Sequence, residues 1–191
     1  TIAMAGAFVE GEIANMCLAV TSSHFCSAER QYRFPLEYGG QRTPTAQWTV
    51  TGSGALIIGH HVENKPYVNA FTIGKIMDLG IKDANNMGAA MAPAAKKTIS
   101  DFLSDTGTSP SDYDAIVTGD LGEIGSTLLR ELLMRENGID ISSVHKDCGL
   151  MIFDCNAQDV HSGGSGCGCS ASVLCSEWLN GMREGRYKKI M

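Results

Sequence analysis

Apolar positions along this chain recur with two periods, one helical and one extended, and the two take turns. Residues 1–13 (TIAMAGAFVEGEI) set small and apolar side chains at helical spacing, predicting a helix that Gly11 stops. Residues 15–23 (NMCLAVTSS) are apolar without a break and then turn polar, the pattern of a buried strand. Residues 45–59 (TAQWTVTGSGALIIG) alternate around Gly52 and Gly54, and residues 67–77 (YVNAFTIGKIM) read as a further strand. Between the segments 15–23 and 45–59, residues 24–44 are expected to form a long loop carrying Pro35, Pro44, paired glycines, and Arg30, Arg33 and Arg42.

The second part of the chain is more regular. A helix is predicted over 87–105, with Pro93 in its early part, where proline is tolerated in a first turn. Residues 113–120 (YDAIVTGD) read as a buried strand. Over 123–137, Ile124, Leu128 and Leu132 form one stripe that Leu129 and Leu133 widen, with charges opposite and Gly138 as terminator. Residues 148–154 (CGLMIFD) are expected to be a strand, and a glycine-rich run leads into a helix ending near Met182. Residues 187–191 (YKKIM) start another strand.

Strands alternating with helices of this length predict an α/β layered fold. In such folds ligands bind beyond the carboxyl ends of strands, beside helix starts. Three segments are expected to meet there: 21–24 (TSSH), 118–125 (TGDLGEIG) and 160–170 (VHSGGSGCGCS).

Composition narrows the function. With 191 residues, the chain can form one sizeable core or parts of two halves of a larger fold. A formal net charge of −6 and the lack of a Lys/Arg stripe exclude a nucleic-acid binder. No apolar run approaches the roughly 20 residues that span a bilayer, and no signal pattern opens the sequence. The chain opens on Thr1 in what reads as mid-helix, so it is expected to be a fragment that does not fold without the rest. Its seven cysteines are odd in number and include no CxxC pair, which favours free thiols in a reducing compartment.

The chemistry concentrates in residues 161–171, HSGGSGCGCSA. Cys167 and Cys169 lie two apart, pointing to opposite faces of a helix, and no second ligand pair exists, so no metal site is expected. Two readings remain for the glycine run. It can be a cradle whose backbone N–H groups and helix start hold an anion, or a tight turn packed on a neighbouring backbone. His161 could serve as base for a cysteine nucleophile, but Cys167, Cys169 and Cys175 read more readily as small buried packing residues. Asp120 suits a ligand contact or a helix cap. His24, His60, His61 and His145 read as structural or exposed.

At this point a resemblance enters. The blocks GEIANMCLAVTSSHFCSAERQYRFPLEYGGQRT, TVTGSGALII, MGAAMAPAAKKTI, YDAIVTGDLGEIGS, HKDCGLMIFD and HSGGSGCGCSA, in order along the whole chain, resemble a sporulation family of the thiolase-like superfamily, beside the ketoacyl synthases. The resemblance implies a layered αβαβα fold, with residues 1–66 the remainder of a first half and 67–191 most of a second. It places a catalytic cysteine a few residues before Thr1, and further strands after Met191. It puts Gly119 where the ketoacyl synthases carry a catalytic histidine, and His161 or Ser162 near their second essential residue. A condensing reaction needs both groups, so the resemblance implies a scaffold without catalysis.

The family is associated with uptake of dipicolinic acid, as its calcium complex, into the developing spore. The implied ligand is therefore a flat aromatic dicarboxylate. Its candidate contacts are Asp120, His161, Ser162, Gly163, Gly164, Ser165, Arg30 and Arg33, with Arg42 as a further basic candidate. The resemblance implies no cofactor and no resident metal. It also implies a homodimer, other subunits of a spore membrane channel complex as partners, and a place at the inner membrane of the forespore. The alternative is an acyl-transfer enzyme using the preceding cysteine.

Overall fold

The computed structural model describes residues 1–25 and 43–191. Arg30, Arg33, Arg42 and Cys26 lie outside the described residues. The chain is a mixed α/β protein in which the described strands form three two-stranded sheets.

The first helix, α1 (Ile2–Glu10), closes at Gly11, whose N–H donates to the Ala7 carbonyl at 2.9 Å. It leads into β1 (Met16–Ser23), which pairs antiparallel with β3 (Gly52–Gly59), from Met16 opposite Gly59 to Ser23 opposite Gly52. The period of two sorts this pair into faces. Ala19 is buried on the face that packs on α1 and on a later helix. Met16, Leu18, Val20 and Ile57 share the other face and stand 50–73% exposed. The buried strand expected over 15–23 is thus buried on one face only, because among the described residues nothing covers the other.

A short β2 (Trp48–Thr49) pairs in parallel with β6 (Gly164–Ser165). Residues 67–77, expected to be a strand, have no regular structure, and Ile73 and Ile76 are 84% and 102% exposed. The apolar run is there, but a strand needs a partner to take its backbone hydrogen bonds, and none is present among the described residues.

The regular part begins at α2 (Met87–Thr106), capped by Asn86, whose Oδ1 accepts the Ala89 N–H at 3.2 Å, and closed by Gly107 at φ 64°. Pro93 lies inside the helix, beyond the first turn. Next come β4 (Ile116–Thr118) and α3 (Gly122–Leu132), which runs on through a wider turn to Gly138. The backbones of α2 and α3 touch at glycines: a Cβ on Gly88 would stand 2.6 Å from the Leu121 carbonyl oxygen. Ala92, Ile99, Leu103, Ile116, Leu129, Leu133 and Ile141 form the core between them. Complete burial of a leucine such as Leu129 contributes about 1.5–3 kcal/mol.

β4 pairs in parallel with β5 (His145–Asp147), and α4 (Cys148–Met151) follows at once. This corrects the strand expected over 148–154: the extended residues come just before it, and Cys148 begins a helical turn. A short apolar run has no period to separate strand from helix. Packing decides here, since Gly149 lies so close to Gly164 that a Cβ would meet its carbonyl oxygen. The chain ends through α5 (Cys167–Val173), a wider turn, and α6 (Leu179–Arg183). A second core gathers Val50, Cys148, Cys169, Val173 and Trp178 beneath them. The strand expected over 187–191 is reduced to one bridge, Ile190 to Ala115.

Candidate functional site

The ends of β1, β4 and β6 converge, and hydrogen bonds hold them together. Asp120, two residues beyond β4, accepts the Gly166 N–H on Oδ2 at 2.9 Å, while its own carbonyl accepts from Gln47 Nε2 at 2.7 Å. Ser23, the last residue of β1, accepts the Gly168 N–H on Oγ at 2.9 Å and donates to the Val50 carbonyl at 2.7 Å. The three segments expected to meet therefore do so.

The glycine run is built into this junction. Gly163 and Gly166 have φ near +100°, which a side chain would strain. The Gly163 N–H donates to the Val160 carbonyl, so the N–H groups of Gly163, Gly166 and Gly168 all point to acceptors within the chain. Gly164 lies in β6 beside Trp48, and the Ser165 carbonyl accepts the Val50 N–H at 2.8 Å. Ser162 is buried and works on α3: its carbonyl accepts the Glu123 N–H and its Oγ the Ile124 N–H. His161 has φ 50°, and its Nε2 lies 3.0 Å from Asp159 Oδ1.

A buried polar network lies directly behind this junction. Thr118 donates its hydroxyl to Asp147 Oδ2 at 2.7 Å and lies 2.9 Å from His145 Nε2. The hydroxyl hydrogen is already given to Asp147, so His145 carries its proton on Nε2 and donates to Thr118. Asp147 also accepts the N–H groups of Leu121 and Gly122, at 2.9 and 3.0 Å, where α3 begins. Burial holds the Asp147 carboxyl above the usual range, against these three hydrogen bonds, which favour its charge. Burial, with Arg130 and Lys146 nearby, pushes His145 down to about 4. Sequence reasoning gave His145 a structural role but missed its partners. The only signal was a polar pair flanking Lys146 at alternate strand positions.

Against the same strand end lies a cavity of about 300 Å³, between α1, β3, β4 and the run from α5 to Trp178. Ile2, Gly119, Cys148, Ser170, Cys175 and Trp178 line it, and no lysine, arginine or histidine among the described residues does. Asp120, His161, Ser162, Gly163, Gly164 and Ser165 do not line it either. A Cβ on Gly119 would stand 3.3 Å from Ser170 Cβ, so the wall at Gly119 closes on Ser170. Burial raises the Cys148 and Cys169 thiols to about 12, which keeps both protonated at neutral pH. Among the described residues, no three His, Cys, Asp or Glu side chains gather as a metal site. None of the described helices is long and apolar enough to cross a membrane.

The family profile of stage V sporulation protein AD matches residues 1–191. The chain is 46% identical over 190 residues to stage V sporulation protein AD of Bacillus subtilis (strain 168), covering all of this chain and 55% of that protein. It thus spans about half the length of this curated relative. The chain belongs to the stage V sporulation protein AD family, a family of spore formation.

Proposed function

We propose that the protein is a non-catalytic binder of dipicolinate on a thiolase-like scaffold, to which residues 1–66 and 67–191 contribute parts of two halves. Gly119 carries this reading. It lies in the cavity wall, the resemblance assigns it the position of the condensing enzymes' histidine, and it offers no group to move a proton. The protonated thiols of Cys148 and Cys169 supply no nucleophile in its place.

What remains is a largely apolar space of the size of a small flat ring. An unpaired carboxylate is costly to bury against such walls. The calcium complex, whose carboxylates the metal neutralises, suits them better than the free dianion. For the free dianion, Arg30, Arg33 and Arg42 are the basic candidates. Uptake into the forespore follows if the protein delivers this ligand to channel subunits at the inner membrane. A homodimer joined along β1 is part of the same proposal, supported by the exposed apolar residues Met16, Leu18 and Val20.

Calorimetry on the full-length protein tests the reading. Saturable heat with calcium dipicolinate, one ligand per chain, is expected; no heat with either the free acid or its calcium complex overturns it. One observation favours acyl transfer as a second reading: Thr1 and Ile2 line the same cavity, next to where the resemblance places a cysteine. An acyl adduct on that cysteine, seen by intact mass after exposure to an acyl-CoA, would establish it.

A further inference from the structure

Thr118 belongs to two environments at once. It is part of the cavity wall, next to Gly119, and it is the hydroxyl that joins His145 to Asp147 in the buried network. Asp147 in turn holds the first N–H groups of α3, at Leu121 and Gly122. The chain of contacts therefore runs from the cavity through one hydroxyl to a buried carboxylate and a helix start.

Every member is well buried. Thr118 is 8% exposed, His145 6% and Asp147 3%, so none can exchange its partner for water at low cost. The wall has little freedom behind it. Gly122, at φ 64°, is pressed against the Ser162 carbonyl and the Gln47 side chain, leaving no room for a Cβ. A small shift at Thr118 is thus passed to His145 and Asp147 and is not absorbed by loose packing.

Resting on the ligand reading above, we infer that Thr118 is a positioning residue for the cavity: with His145 and Asp147 it fixes the Thr118–Gly119 wall against the ligand, and occupancy of the cavity is felt at the start of α3. The hydroxyl is the essential feature, because it accepts from His145 while donating to Asp147. A valine of the same shape leaves both partners buried without it, whereas a serine keeps it.

The test uses the full-length protein, calcium dipicolinate as probe, and two measurements: calorimetric affinity, and the ring N–H resonance of His145, assigned by its loss in His145→Gln. Ligand is expected to shift the wild-type resonance. Thr118→Val is expected to bind about tenfold more weakly, the scale of one buried hydrogen bond, and Thr118→Ser to restore most of the affinity. Wild-type binding with an unmoved resonance and a Thr118→Val affinity equal to wild type overturns the inference while leaving the ligand reading intact. Absence of wild-type binding instead overturns the ligand reading and, with it, the inference. Should Thr118→Val fail to fold, the wild-type resonance decides alone, and no movement on saturation overturns the coupling.

Discussion

The carboxylate of Asp120 accepts the backbone N–H of Gly166 across 2.9 Å, joining the end of β4 to the turn that opens α5, 46 residues later. The same residue's carbonyl is held by Gln47. One residue thus ties three segments together, next to the cavity wall at Gly119. Its place in the structure is that of a clamp.

Replacing Asp120 with alanine removes a charge-assisted hydrogen bond and leaves the Gly166 N–H without its acceptor. Such a change costs about 1.5–3 kcal/mol. Urea unfolding of Asp120→Ala is expected to show a loss in that range, with Asp120→Asn, which keeps an acceptor oxygen, losing less than half as much. Equal losses would mean that the geometry of the carboxylate oxygen is not what matters here.

His145 makes stability depend on pH. Its pKa falls from 6.5 to about 4 in the folded chain, so between these values the unfolded chain binds the extra proton and the folded chain does not. The stabilising difference is present above pH 6.5 and is lost as pH falls toward 4, on the order of 2 kcal/mol after allowance for solvent screening. Asp147, raised by burial, contributes with the opposite sign. His145→Gln isolates the histidine: its stability should fall less than that of wild type between pH 7 and 4.5. Parallel curves would remove His145 as the cause.

Two glycines are expected to respond oppositely to the same substitution. A Cβ on Gly168 would sit 2.4 Å from the Gly52 carbonyl oxygen and 2.8 Å from the Ser23 backbone nitrogen, neither of which can turn aside. Gly168→Ala should cost roughly 1–3 kcal/mol or more. A Cβ on Gly6, inside α1, meets nothing within 4 Å, so Gly6→Ala should stabilise by about 0.5–1 kcal/mol through the unfolded chain. Thermal unfolding of the two variants reads both signs.

Much of this architecture is legible in the sequence where local signals suffice. The stripe from Ile124 to Leu133 and the stop at Gly138 give α3 and its end, because an amphipathic period and a left-handed terminator need no knowledge of the rest. The errors arise where a distant partner decides. Residues 67–77 have the composition of a strand but no ladder, and Cys148–Met151 turns helical where Gly149 packs on Gly164. For the glycine run, the sequence shows donors but not their acceptors. Gly168 finds Ser23 across 145 residues, and no local pattern foretells that bond. The His145–Thr118–Asp147 network is hidden for the same reason, since it exists only once β4 and β5 are aligned.

Filling the cavity from its wall should weaken binding without unfolding the chain. The nearest atoms to a Cβ on Gly119 belong to the Ser170 side chain, at 3.3 and 3.6 Å, so a small side chain fits with a slight shift while a larger one enters the cavity. Gly119→Val in the full-length protein is expected to weaken dipicolinate binding at least tenfold, with unfolding within about 1.5 kcal/mol of wild type. Unchanged affinity would place the ligand elsewhere.

The central claim is that this cavity holds the ligand, and a crystal structure of the full-length protein grown with calcium dipicolinate tests it most directly. The account predicts the pyridine ring between Gly119 and the run from Ser170 to Trp178, with no covalent bond to the protein. A ring bound outside that space, or an acyl group attached to a cysteine within it, would contradict the account.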